Sequence, residues 1–94
     1  MKIVFSSRAL ADMAKIVKFI AYDKPQAARR WAVSIRESVS KLSDFPRLGR
    51  VVPEYEDETI REIIKGQYRI VYKLDDEKQT IVIVTVHHGK KPLV

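Results

Sequence analysis

GQYRIVYKL, Gly66–Leu74, is the stretch on which the reading of this chain turns. Tyr68, Ile70, Tyr72 and Leu74 alternate with Arg69, Val71 and Lys73, the period of a strand with one face in a core and the other partly polar. After the polar link DDEKQ comes TIVIVTVHHGKK, Thr80–Lys91, where no such alternation is visible. A continuous apolar run bounded by turns fits a strand at the centre of a sheet, or one covered on both faces. Upstream, TIREII has the same strand character. The connections KGQ and DDEKQ are hairpin-like, so the three segments form an antiparallel meander.

Working toward the N-terminus, KIVF is short, β-branched and aromatic, and the serines after it suit a helix cap. Leu10, Met13, Val17 and Ile20 then recur at helical spacing from Arg8 to about Tyr22. Pro25 breaks that helix and suits the first turn of a second. The second carries Ala28, Trp31, Ile35, Val39 and Leu42 as its stripe, and so short a turn makes the pair an antiparallel hairpin. Pro46, Gly49 and Pro53 predict an irregular path from Ser43 to Pro53, and the acidic run EYEDE after it reads as a solvated loop. The expected fold is α+β: an N-terminal strand at the sheet edge, a helix hairpin, and a three-stranded antiparallel meander packed on the helices. Its predicted core is Ile3, Phe5, Leu10, Met13, Val17, Ile20, Trp31, Ile35, Val39, Leu42, Ile70, Tyr72, Val82 and Val84, closed at one end by Phe45 and Leu48.

A chain of 94 residues has room for a single domain, 1–94, since domains of this size bury only about 60–70 % of the surface the unfolded chain exposes. Cysteine is absent, so disulfides, thiolate metal sites and thiol catalysis are excluded. No run approaches a signal-peptide core or a membrane helix, and a cytoplasmic protein is expected. The net charge of +6 favours encounter with polyanions or an acidic protein partner, and equally serves plain solubility.

Glycine-rich phosphate loops, nucleophile elbows and spaced zinc ligands are all missing, and neither metal nor cofactor is expected. Adjacent His87 and His88 on a strand point to opposite faces and cannot chelate one ion. Arg61 and Arg69 lie within strands; such arginines serve either as ion-pair partners, here of Glu62 or Glu58, or as a cationic sheet face that binds phosphate. His88, at a strand end before glycine, fits a surface hydrogen bond or general acid–base work. Trp31, beside Arg29 and Arg30, fits the core better than a base-stacking platform.

The order strand, helix hairpin, LSDFPRLGRVVPE, IREIIKGQYRIVYKL and IVIVTVHHGKK resembles the RelE/ParE superfamily of toxins from type II toxin–antitoxin systems. The likeness spans nearly the whole chain. It implies a cytoplasmic toxin masked by an acidic antitoxin in a hetero-oligomer, with the sheet and the last strand as the toxic surface. RelE-like members cleave messenger RNA on the ribosome without metal; by that analogy Arg69 would stabilise the phosphorane, with Arg61, His88 and Lys90 as the other candidates. ParE-like members bind DNA gyrase and are not enzymes, and the candidate contacts become Arg61, Arg69, His87, His88, Lys90 and Lys91. HHGKKPL, DKPQAARRW and LSDFPRLGR favour the ParE-like branch, and a RelE-type lysine pair is replaced here by Arg61 and Glu62. A non-toxic binding module on the same fold is a third possibility.

Overall fold

Ser6 explains how the chain turns from strand to helix. In the computed structural model, which describes residues 1–89, β1 (Lys2–Phe5) is followed by α1 (Ser7–Asp23). The Ser6 Oγ accepts from the Ala9 amide at 3.0 Å, capping α1, and donates to the Val84 carbonyl at 2.8 Å. One side chain thus starts the helix and fastens it to the sheet. Helix α2 (Pro25–Ser40) begins with its proline in the first turn, where the missing N–H costs nothing, and runs into a 3₁₀ turn at Lys41–Ser43.

The remaining elements are β2 (Arg50–Val51), β3 (Ile60–Lys65), β4 (Tyr68–Asp75) and β5 (Thr80–His88). They form one five-stranded sheet in the order β1-β5-β4-β3-β2, with β1 parallel to β5 and the other pairs antiparallel. The meander and the edge position of β1 are as expected. The two-residue β2, which pairs Arg50 with Glu62 and Val51 with Arg61, lies in the span predicted to be irregular. The β3–β4 link is the two-residue turn Gly66-Gln67, and Gly66 takes a φ of 59° that side chains resist.

Central placement accounts for the apolar character of β5, flanked by β1 and β4. Its burial does alternate, and a register shift opposite Val71/Tyr72 changes the phase so that Ile81, Ile83 and Val86 enter the core. Val82 and Val84, predicted for the core, are half-buried on the other side. Beyond Phe5 the outer edge of β5 has no strand partner among the described residues. Helix α1 covers it: the Asp12 carboxylate accepts from the Thr85 hydroxyl and, at 3.1 Å, from the Val86 amide. That duty rotates α1, so Ala9, Met13 and Ile16 face the core while Leu10, predicted to be buried, is 56 % exposed.

Phe45 and Leu48, expected to close the core, are also exposed. The end is closed instead by backbone drawn onto Tyr72. The Tyr72 hydroxyl, on a fully buried side chain, donates to the Pro46 carbonyl at 2.8 Å and accepts from the Gly49 amide at 2.9 Å. A Cβ at Gly49 would come within 2.5 Å of the Glu62 carbonyl oxygen, so only glycine permits this approach. Burial pushes the Tyr72 phenol up from its ordinary pKa, and the group stays protonated at neutral pH. Tyr72→Phe should cost about 2 kcal/mol, because two backbone groups lose their buried partner; urea denaturation would read it as a lower midpoint with an unchanged slope.

Candidate functional site

Glu62 and Arg69 stand on neighbouring strands, on the sheet face turned away from the helices. The pleat decides this, because Arg69 and Val71 alternate with Ile70 and Tyr72, which pack into the core with Met13, Ile35 and Val39. The Glu62 side chain is fully buried, and such a carboxylate is tolerated only with close partners. Among the described residues it has two: Arg50 Nε donates to Oε2 at 2.7 Å, and Arg69 Nε donates to Oε1. The two terminal nitrogens of Arg69 then grip Glu54 in a two-pronged pair, at 2.7 and 2.9 Å. Arg50, Glu62, Arg69 and Glu54 form a chain of alternating sign with no net charge.

The ion-pair reading of Arg69 with Glu62 therefore describes the structure, and Glu54 extends it. The cationic sheet face does not form at Arg69, whose side chain is 10 % exposed and enclosed by carboxylates. Both carboxylates raise the affinity of Arg69 for its proton, Glu54 most. In return, the Arg69 hydrogen bonds hold the Glu54 carboxyl down at about 2, from an ordinary 4.5. EYEDE is thus more than a solvated loop, since Glu54 ties it to the sheet.

Arg61 points to the opposite, helix-side face with its register partner Tyr72. It donates to two carbonyls, Gly49 at 2.9 Å and Glu58 at 3.0 Å, and so fastens the same loop that Tyr72 holds. Arg61 and Arg69 are not brought together. His87 is the register partner of Arg69, and His88 that of Tyr68. The His88 ring lies edge-on to Tyr68, centroids 5.7 Å apart, with Nε2 3.1 Å from the Gln67 side-chain oxygen. Tyr68 in turn meets Trp31 edge-on at 5.3 Å. Both histidines border a groove whose other wall is α1, through Asp12, Lys15, Ile16 and Phe19. Lys90 and Lys91 lie outside the described residues.

Positive charge is concentrated in the first half of the chain, and the acidic residues of the second half lie mostly in its loops. Eleven Lys and Arg against four Asp and Glu precede Val51, and seven against eight follow from it. Arg8, Lys15, Lys18, Arg29, Arg30 and Arg36 are all exposed on α1 and α2. Among the described residues no three His, Asp or Glu are grouped to hold a metal ion, and no helix is long and apolar enough to cross a membrane.

Comparison with known proteins matches this arrangement to one family. Residues 3–93 fit the model of the ParE toxin of the type II toxin–antitoxin system parDE. The chain is 30 % identical over 91 residues to Toxin RelE2 of Caulobacter vibrioides, covering 96 % of this chain and 97 % of the relative. A structure of the chromosomal ParDE toxin–antitoxin system of P. aeruginosa superposes with a TM-score of 0.79 at 18 % identity, over 96 % of this chain and 97 % of that one. The RelBE2 toxin–antitoxin complex of Mycobacterium tuberculosis gives 0.63 at 25 % identity, over 93 % and 88 %. A toxin of the RelE/ParE superfamily is the class that fold and comparisons define. Within it, the chain belongs to the ParE toxin family of type II toxin–antitoxin systems.

Because Glu54 has a lowered pKa in the folded state, its contribution to stability is complete above about 4.5 and is lost as pH falls through about 2. Wild type should lose stability more steeply than Glu54→Gln across that window in acid-dependent urea denaturation. Parallel curves would mean that the Arg69–Glu54 pair does not form in solution.

Proposed function

We propose that this toxin acts by binding DNA gyrase, without catalysing a reaction, and that an acidic antitoxin neutralises it within a hetero-oligomer. The observation that carries the reading is the engagement of both strand arginines in the fold. A phosphorane-stabilising arginine needs donors directed at the reacting phosphate, whereas Arg69 spends its donors on Glu54 and Glu62, and Arg61 sits on the other face. A binding toxin needs no such assembly. The α1–β5 groove supplies a contact surface: His87 and His88 on one wall and Phe19, 79 % exposed, on the other. For the antitoxin, the cationic helices supply electrostatic complementarity to an acidic chain, and both solved relatives named above are toxin–antitoxin assemblies.

Ribosome-dependent cleavage of messenger RNA is the second reading. It draws on the RelE2 relative and on His88 at the end of β5, and it requires Arg69 to leave its carboxylates.

Purified protein should make gyrase accumulate cleaved DNA and leave translated messages intact. Cuts in messages, with gyrase unaffected, would overturn the proposal. Phe19→Ala should weaken gyrase association about tenfold, as loss of an exposed aromatic contact does, while the thermal midpoint stays unchanged.

A further inference from the structure

The turn end of the helix hairpin carries charge that the fold does not use. Between Lys15 and Arg30 stand five cations, Lys15, Lys18, Lys24, Arg29 and Arg30, against Asp23 alone, and all five are exposed. Among the described residues no ion pair engages any of them, whereas Arg47, Arg50 and Arg69 each hold a carboxylate. The two most exposed large apolar side chains among the described residues belong to the same stretch, Phe19 at 79 % and Tyr22 at 91 %. On a helix of 3.6 residues per turn, Lys15, Lys18, Phe19 and Tyr22 fall within about 100° of arc. That arc points away from Met13 and Ile16, which face the core. Cations and aromatic rings are thus interleaved on one solvent-facing side of α1.

Interleaving decides the chemistry of the partner. A helix that lies on a bilayer separates an apolar face from a charged one, and the apolar face of α1 is already taken by the core. Nucleic acid calls for cations and flat rings side by side, the first for phosphates and the second for base surfaces or base steps. Two packed helices, each about 10 Å across, are too broad to enter the major groove of about 12 Å together. They can lie across the backbone, where the cations of both helices meet phosphate rows and a single ring reaches between the strands. We propose that the turn end of the α1–α2 hairpin is a contact surface for duplex DNA, with its five cations on backbone phosphates and with Phe19 and Tyr22 set against the minor groove. Phosphate contacts carry no base identity, so the binding is independent of sequence. The inference goes beyond the gyrase proposal and does not rest on it, since the partner is the DNA itself.

The test is fluorescence anisotropy of short labelled DNA duplexes of unrelated sequence, titrated with the full chain at several salt concentrations. The logarithm of the affinity should fall against the logarithm of salt with a slope of about −4.5, the value for five neutralised phosphates. Arg29→Ala/Arg30→Ala should flatten the slope by about 2, and Arg29→Lys/Arg30→Lys, which keeps the charge, should preserve it. Phe19→Ala/Tyr22→Ala should weaken binding about tenfold with the slope unchanged. All four positions are exposed, so the thermal midpoint should stay at the wild-type value. No duplex binding by wild type at low salt, or a slope unmoved by Arg29→Ala/Arg30→Ala, would overturn the proposal. So would tighter binding to single-stranded DNA, to poly-glutamate or to phosphatidylglycerol vesicles than to the duplex, the last two assigning the face to an acidic protein or to a membrane.

Discussion

A buried carboxylate sets the terms for the late half of this molecule. Glu62 has no solvent contact, and a carboxylate removed from water is stable only where cations and hydrogen bonds replace hydration. Arg50 from β2 and Arg69 from β4 meet that need from both sides. The two-residue β2 is thereby held against β3, and the long connection from α2 returns to the sheet at a defined point. Nearby, Tyr72 and Arg61 hold the Pro46–Gly49 backbone from the helix-side face.

Three of the segments on which the resemblance rests therefore converge on one joint. Pro46, Gly49 and Arg50 of FPRLGR, Arg61 and Glu62 of IRE, and Arg69 and Tyr72 of YRIVY are linked by hydrogen bonds or ion pairs within it. Residues of this kind attract a catalytic reading because arginine and tyrosine are chemically able. Their surroundings assign them architecture first. Outside the joint lie the basic hairpin and the α1–β5 groove, the surfaces on which the proposed binding function draws.

The meander, the helix hairpin and the edge position of β1 were legible because each rests on local periodicity and punctuation. Pro25 and Gly66 act through their own backbone preferences, and Ser6 caps the helix that follows it. Helical spacing alone points Leu10 inward, but the demand that turns α1 is tertiary: Asp12 must reach the open edge of β5. Val82 and Val84 lie a step out of phase with the expected core because a register shift leaves no mark in an unbroken apolar run. The pairing of Arg69 with Glu62 was within reach, both residues lying in adjacent strands joined by a short turn. Glu54 was not, since its loop meets the sheet through a path that sequence spacing does not describe.

Central to this account is that Arg69 is first a partner of Glu62 and only then available to anything else. A double-mutant cycle over Arg69→Gln and Glu62→Gln, read by urea denaturation, isolates that interaction from the separate effects of each change. The account predicts a coupling of about 2 kcal/mol or more, within the range for residues sharing one ion-pair network. Additive losses, with the double variant as unstable as the two single changes combined, would contradict it.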